Sequence, residues 1–142
     1  MASIHKEIQL SSEAEDVWDA VRDVGAVHTR FAPGFVTDVA MEDGARIVTF
    51  ANGLVAREVI VTVDDAQRRL AYSVRSERLG HHNASFQVVA EAAGCRLIWI
   101  ADVLPDGAAV NVGAMMEDGM AAAKQALDGL GATTPPITAR AG

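Results

Sequence analysis

The side chains best placed to do chemistry are one histidine and one arginine, each set in an apolar, strand-like run. His82 alternates with Ala84, Phe86 and Val88, so a strand would turn these four residues to one face. An imidazole on such a face can orient a ligand or transfer a proton, and it can equally be a core histidine bonded to backbone or water. His81 points to the opposite face or lies in the preceding turn. Adjacent strand residues cannot chelate one metal together, so we predict no metal site.

The arginine is Arg57, which is followed by Glu58 in the apolar run 54–61. One of the two must face the core side of a strand, and the alternation does not say which, because both sets of alternate residues are otherwise apolar. An inward Arg57 could hold a carboxylate or polarise a ketone. The alternative is a surface cation paired across strands, which is the commoner arrangement.

Further residues complete a candidate ligand-binding surface with His82 and Phe86. Tyr72 and Trp99 lie in the strand-like runs before and after that of His82, and Trp99 is either a cavity wall or ordinary core. His28 lies in an irregular segment that is either a gate or an exposed loop. The remaining candidates belong to the inner face of a C-terminal helix, where small and soft residues would leave room for a ligand: Met115, Met116, Gly119 and Ala123.

The periodicity of the chain predicts the elements that position these residues. A first strand at 4–10 precedes a helix at 13–23, for which Ser12 and Glu15 predict a capping box. One more helical turn is predicted at 27–31, and a long helix at 109–130. Between them we predict six strands, at 36–41, 46–50, 54–63, 70–76, 82–90 and 96–104.

This order of elements favours one curved antiparallel sheet that grips the C-terminal helix. Asn52-Gly53 between two apolar runs is a strong hairpin signal. Gly119 inside a helix costs about 1 kcal/mol relative to alanine, so we expect a strand backbone or a ligand to approach it closely. Ile98 and Ile100 are predicted on the outer sheet face, which leaves a homodimer open.

Composition limits the function classes. The 142 residues predict one domain at 1–132 and a tail at 133–142 that contains two prolines. The net charge of −7 disfavours binding to nucleic acid. We predict no membrane insertion, because no run of about 18 apolar residues occurs. The single cysteine and the charged start predict a cytoplasmic protein.

Several strings, in this order, resemble the START-like, helix-grip superfamily, also called SRPBCC or polyketide cyclase/dehydrase-like proteins. They are AEDVWDAVRD at 14–23, DDAQRRL at 64–70 and LIWIA at 97–101, while HHNAS at 81–85 resembles small bacterial members. The resemblance implies an α+β helix-grip fold, with a seven-stranded antiparallel sheet around a long C-terminal helix, short N-terminal helices and an internal cavity. It also implies lipid, sterol, hormone or polyketide ligands.

Three functions follow as hypotheses. The first is binding of a small hydrophobic ligand, lipid-like or polyketide-like, between sheet and C-terminal helix, with no cofactor and no metal. The second is a cyclase or dehydratase type of enzyme, in which His82 is the general acid/base and Arg57 stabilises an enolate. The third is a non-catalytic interaction module with a collapsed cavity.

Overall fold

The computed structural model describes residues 1–130 and contains seven strands and two main helices. The predicted tail, 133–142, lies outside the described residues. In chain order the elements are β1 (Ala2–Leu10), α1 (Ala14–Val21), one wide helical turn (Val27–Phe31), β2 (Val36–Glu42), β3 (Ala45–Phe50), β4 (Val55–Asp64), β5 (Arg69–Arg75), β6 (His81–Glu91), β7 (Gly94–Leu104), a short turn (Asp106–Ala108) and α2 (Ala109–Leu127).

The strands form one antiparallel sheet in the order β1-β7-β6-β5-β4-β3-β2. Strands β2 to β7 pair with their neighbours in the chain, as hairpins do, and β1 pairs with the last strand. Helix α2 packs against β1, and α1 packs against β6 and β7. The predicted helix-grip fold is therefore confirmed: a curved sheet of seven strands holds a long C-terminal helix.

Alternation along β6 and β7 sets the inner face of the sheet. Ala84, Phe86 and Val88 are buried in β6, and the register places Ala84 opposite Ala101 and Phe86 opposite Trp99 in β7. Residues directly opposite one another in antiparallel strands share a face. The inner face of these strands therefore carries aromatic and small side chains side by side.

The predicted capping box at Ser12 is wrong. The residue that precedes α1 is Glu13, and no side chain caps the helix there. The Ser12 hydroxyl instead donates to the carbonyl oxygen of Leu127 and accepts from the N–H of Leu130 at 2.8 Å. The last carbonyls of a helix lack partners within it, and this buried serine supplies one. It ties the end of α2 to the β1–α1 connection.

The Asn52-Gly53 hairpin joins β3 and β4 as predicted. Gly53 has a φ of +91°, which glycine adopts without strain. The hairpin is closed by a hydrogen bond from the Phe50 N–H to the Leu54 carbonyl oxygen at 2.8 Å. This turn fixes the register in which β3 pairs with β4.

Candidate functional site

A cavity of about 620 Å³ lies between the inner face of the sheet and the N-terminal half of α2. Natural small-molecule pockets have volumes of roughly 300–1,000 Å³. The cavity opens to solvent where exposed lining residues meet, in the β3–β4 hairpin, the β5–β6 connection and the first turn of α2. Most of its walls are apolar: Val21, Val27, Phe31, Ala32, Phe35, Val36, Val48, Phe50, Leu70, Val74, Phe86, Trp99, Ala101, Val112, Met115 and Met116.

One wall of the cavity is an aromatic cluster. The Phe86 ring stacks on Trp99 with centroids 4.6 Å apart, and Phe31 meets Phe86 edge to face at 4.9 Å. Trp99 also donates its indole N–H to the hydroxyl oxygen of Tyr72 at 3.1 Å. These contacts hold the Trp99 ring in one orientation, so the wall is flat and preformed.

Gly119 allows α2 to lie close to this wall. A Cβ atom at this position would lie 2.9 Å from Cζ3 of Trp99 and 3.0 Å from Cε2 of Phe35. The close approach expected here is therefore made by aromatic side chains, not by a strand backbone. Glycine lowers the stability of a helix, but at this position any larger residue would collide with the rings of Trp99 and Phe35.

A buried ion pair, Arg46–Glu58, is set into the otherwise apolar lining. Arg46 on β3 lies directly opposite Glu58 on β4, and its Nε donates to Oε1 of Glu58 at 2.8 Å. The two side chains are only 4% and 9% exposed. Arg46 Nη1 also donates to the carbonyl oxygen of Val24 at 3.3 Å, and the guanidinium lies 5.3 Å from the centroid of the Tyr72 ring.

Burial governs the protonation of the lining residues. It raises the pKa of Glu58 above its ordinary value, while the guanidinium of Arg46 acts in the opposite direction. Burial, with the nearby charge of Glu58, raises the pKa of Tyr72, so its hydroxyl stays protonated and can donate. Burial and the neighbouring His81 lower the pKa of His82, which favours a neutral imidazole at neutral pH.

An inward orientation of Arg57 is excluded by the structure. Its side chain is 45% exposed on the opposite face of β4, and its Nε donates to Oε1 of Glu42 at 3.0 Å. Arg57 therefore cannot act in the cavity as the enzyme hypothesis required. Glu58 faces inward, because successive residues of a strand point to opposite faces.

Arg46, the arginine that does line the cavity, was missed at the sequence level. A hairpin centred on Asn52 pairs residue 46 with residue 58, so the two predicted strands already placed opposite charges across from each other. Combining the hairpin with the alternation places Arg46 on the same face as Glu58, a pairing that neither strand considered alone reveals.

The cavity brings together most of the predicted ligand-binding set: His82, Phe86, Trp99, Tyr72, Met115, Met116 and Gly119. Two members are placed elsewhere. Ala123 is fully buried in the core, one helical turn beyond Gly119, and does not line the cavity. His28 is not among the lining residues although Val27 and Phe31 are, and its Nδ1 finds no hydrogen-bond partner among residues 1–130.

Comparison with sequence models of protein families identifies the family of this chain. The sequence model of the family described as "Polyketide cyclase / dehydrase and lipid transport" matches residues 1–134. The chain belongs to this family. The predicted resemblance to polyketide cyclase/dehydrase-like proteins is thereby confirmed over nearly the whole chain. No curated protein sequence matches it significantly.

Solved structures confirm the fold of this family member. An uncharacterized protein from Bacillus thuringiensis superposes with a TM-score of 0.78 at 16% identity, covering 88% of this chain and 98% of that one. A protein from Thermobifida fusca gives 0.69 at 24% identity, covering 84% and 85%. Norcoclaurine synthase from Thalictrum flavum, in complex with dopamine and hydroxybenzaldehyde, gives 0.60 at 19%, covering 84% and 83%. At these identities the similarity shows the fold alone.

The outer face of the sheet in this family member carries different residues. Ile98 and Ile100 lie there, half-buried beside Asp102, which accepts hydrogen bonds from Ser3 and Asn83. Within residues 1–130, no three His, Cys, Asp or Glu side chains are grouped so that they could hold a metal ion. No helix in that range is long and apolar enough to cross a bilayer. A homodimer through this face stays a prediction.

Proposed function

We propose that the protein binds a small, mainly apolar molecule, lipid-like or polyketide-like, in the cavity between sheet and α2. One observation carries the proposal: a buried polar cluster is set into the wall of an apolar hollow of about 620 Å³. Burial of apolar ligand surface contributes roughly 25 cal/mol per Å², which supplies affinity. The polar cluster of Arg46, Glu58 and Tyr72 supplies orientation.

Each wall has a distinct role in this proposal. Phe86 and Trp99 offer a flat surface to a ring or chain, and their mutual stacking leaves little side-chain entropy to lose on binding. Met115 and Met116 adapt to ligand shape because the thioether chain is flexible. His82, neutral and half-buried, can accept or donate one hydrogen bond.

Native mass spectrometry of freshly purified protein tests the proposal. We expect a copurified apolar compound that is retained under gentle conditions and lost on denaturation. Intrinsic fluorescence offers a second readout, because a Trp18→Phe variant leaves Trp99 in the cavity wall as the one tryptophan. Bound ligand should quench or shift its emission.

A blocked cavity provides the control for both measurements. Ala56 lines the cavity on the same face of β4 as Glu58, and it is partly exposed, so Ala56→Phe should place a phenyl ring inside without breaking the core and without adding a tryptophan. The variant should lose ligand while its circular dichroism is unchanged. An empty wild-type protein that also binds no fatty acid, sterol or aromatic polyketide would favour the interaction module instead.

A second function, proton transfer on a bound carbonyl compound of the kind a cyclase or dehydratase handles, is favoured by one observation. The carboxyl of Glu58, whose pKa burial raises, lies in the same cavity as the donor hydroxyl of Tyr72 and the guanidinium of Arg46. Glu58 would take a proton from the carbon beside the carbonyl, and Tyr72 and Arg46 would stabilise the enolate. His82 is the alternative base.

Isosteric variants separate the enzyme from the binding protein. Glu58→Gln should abolish turnover of a carbonyl substrate while the affinity for that substrate stays within about threefold, a change of less than 1 kcal/mol. His82→Ala should do the same if the imidazole is the base. Wild-type protein that binds such compounds without converting them would leave ligand binding as the function.

A further inference from the structure

We infer that the ligand group held by Arg46, Glu58 and Tyr72 is an uncharged oxygen group, a ketone, ester, amide or hydroxyl, and is neither a carboxylate nor an ammonium. This inference rests on the proposed function, because it specifies which ligands the same cavity accepts. It follows from how the charges in the cavity wall compensate one another.

A ligand that enters the cavity meets two charges that already pair with each other. The Arg46 guanidinium is already engaged by Glu58 at 2.8 Å, and both side chains are almost fully buried. A ligand carboxylate placed against Arg46 would lie beside the Glu58 carboxylate and be repelled by it. A ligand ammonium placed against Glu58 would be repelled by Arg46 in the same way.

The loss of water also disfavours a charged ligand group in the cavity. A charged ligand group entering an apolar cavity loses its water, and only a free opposite charge could offset that loss. The inner cavity wall offers no such charge among residues 1–130, since Arg46 and Glu58 neutralise each other and burial favours neutral His82. A neutral oxygen group loses far less on leaving water.

Two hydrogen-bond donors of the cavity wall remain available to a ligand. Arg46 uses Nε for Glu58 and Nη1 for Val24, and its Nη2 donates to no residue in the range 1–130. The Tyr72 hydroxyl accepts from Trp99 and retains its own proton to donate. Both residues line the apolar hollow, and these two donors suit a carbonyl or hydroxyl oxygen.

The mouth of the cavity carries exposed charges, unlike its interior, and the binding test must exclude their contribution. Arg75 and Arg78 line it and are exposed, with Glu77 between them in sequence. Solvated cations there could hold a carboxylate without any role for the buried pair. The test therefore uses a reporter protein that carries Trp18→Phe, Arg75→Gln and Arg78→Gln.

The probes are 2-naphthamide and 2-naphthoate, which share size and shape and differ in charge. Their binding to the reporter protein is followed by Trp99 fluorescence at about pH 8, well above the ordinary pKa of a carboxyl group, so that naphthoate in solution is ionised. We expect the amide to bind at least about tenfold more tightly than the carboxylate, a difference of about 1.4 kcal/mol. Equal affinities, or a preference for naphthoate, would overturn the inference.

Glu58→Gln makes the same amide-for-carboxylate exchange on the protein. It leaves Arg46 uncompensated, so naphthoate should bind at least about tenfold more tightly than to the reporter protein itself. The matched control is Glu42→Gln, which removes one negative charge from the exposed pair with Arg57 and should change neither affinity. Unchanged naphthoate binding in folded Glu58→Gln would contradict charge compensation.

The outcomes distinguish a failure of the proposed ligand binding from a failure of the inferred charge selection. If neither probe binds, and the panel of fatty acids, sterols and polyketides does not bind either, the proposed function fails and the inference fails with it. If both probes bind equally and Ala56→Phe abolishes both, the cavity binds ligands and only the charge selection is wrong. If Glu58→Gln does not fold, the comparison of the two probes in the reporter protein still decides.

Discussion

The molecule contains two arginine–glutamate pairs of nearly equal length in very different surroundings. Arg46 and Glu58 are 2.8 Å apart with side chains 4% and 9% exposed, whereas Arg57 and Glu42 are 3.0 Å apart and 45% and 50% exposed. Glu58 and Arg57 are neighbours in sequence. The comparison teaches that the face of the strand, more than the length of the ion pair, decides what the pair does.

The physical reason lies in solvation. An exposed pair gains little, because water solvates both charges nearly as well as they solvate each other. A buried pair has lost its water, so each charge depends on the other and removal of one partner is costly. The exposed pair is thus a surface detail, while the buried pair can specify a ligand.

The largest expected effect tests this difference directly. Glu58→Ala leaves the Arg46 charge buried and unpaired, so the free energy of unfolding should fall by about 3–5 kcal/mol. Glu42→Ala breaks the exposed pair and should cost no more than about 1 kcal/mol. Urea denaturation at neutral pH measures both, and equal losses would show that the two environments do not differ as described.

A smaller effect is expected where the helix meets the cavity wall. Gly119→Val would force its side chain against Trp99 and Phe35, and such overpacking typically costs about 1–3 kcal/mol. Ala121→Val, on the exposed face of α2, loses only helix propensity, less than about 1 kcal/mol. Thermal unfolding of the two variants compares them. Similar stabilities would mean that the rings move aside freely.

The hydrogen bond between Trp99 and Tyr72 should contribute less again. Tyr72→Phe removes the acceptor of the indole N–H, so we expect a loss of about 1 kcal/mol. A double-mutant cycle with Trp99→Phe isolates the pair, and the coupling energy should be of the same order. A coupling energy near zero would indicate that water replaces the bond.

The last prediction concerns pH and has opposite signs at two glutamates. Burial raises the pKa of Glu58 above 4.5, so its protonated form contributes stability that is present below pH 4.5 and lost as pH rises through the raised pKa. The stability of wild type relative to Glu58→Gln should therefore decrease as pH rises above 4.5.

Glu7 provides the opposite case on the surface. Hydrogen bonds from His5 and Arg96 lower its pKa below 4.5, so its contribution is present above pH 4.5 and lost as pH falls. The stability of wild type relative to Glu7→Gln should therefore decrease on acidification. Urea titrations of both variants from about pH 3 to 8 span the ordinary range of carboxyl titration. The same sign at both sites would contradict the assigned environments.

Much of the fold could be predicted from local patterns. The Asn52-Gly53 turn, the alternation around Phe86 and the long small-residue helix all depend on geometry within a few residues, and the structure has them where predicted. Ser12 shows where local reasoning ends. Its spacing to Glu15 fits a cap, yet its hydroxyl bonds to the far end of the chain.

The candidate site was likewise predicted only in part from local patterns. His82, Trp99 and Met116 reach one cavity, as inward positions of predicted elements would. Ala123 shares the inner side of α2 with Gly119 but is packed in the core, since the cavity extends along only part of the helix. Helical periodicity defines the face of a helix and contains no information about where along that face the packing opens.

The sequence by itself determined the order of elements, the two alternating faces of each strand and the requirement that Arg57 or Glu58 point inward, because backbone geometry alone dictates these. The hairpin turn at Asn52 also pairs Arg46 with Glu58 on one face. Only the tertiary structure decided that this face is the inner one, so that Arg46 and Glu58 line the cavity and Arg57 does not. That choice depends on which face of the sheet the long helix covers, which is set by contacts between segments far apart in the chain.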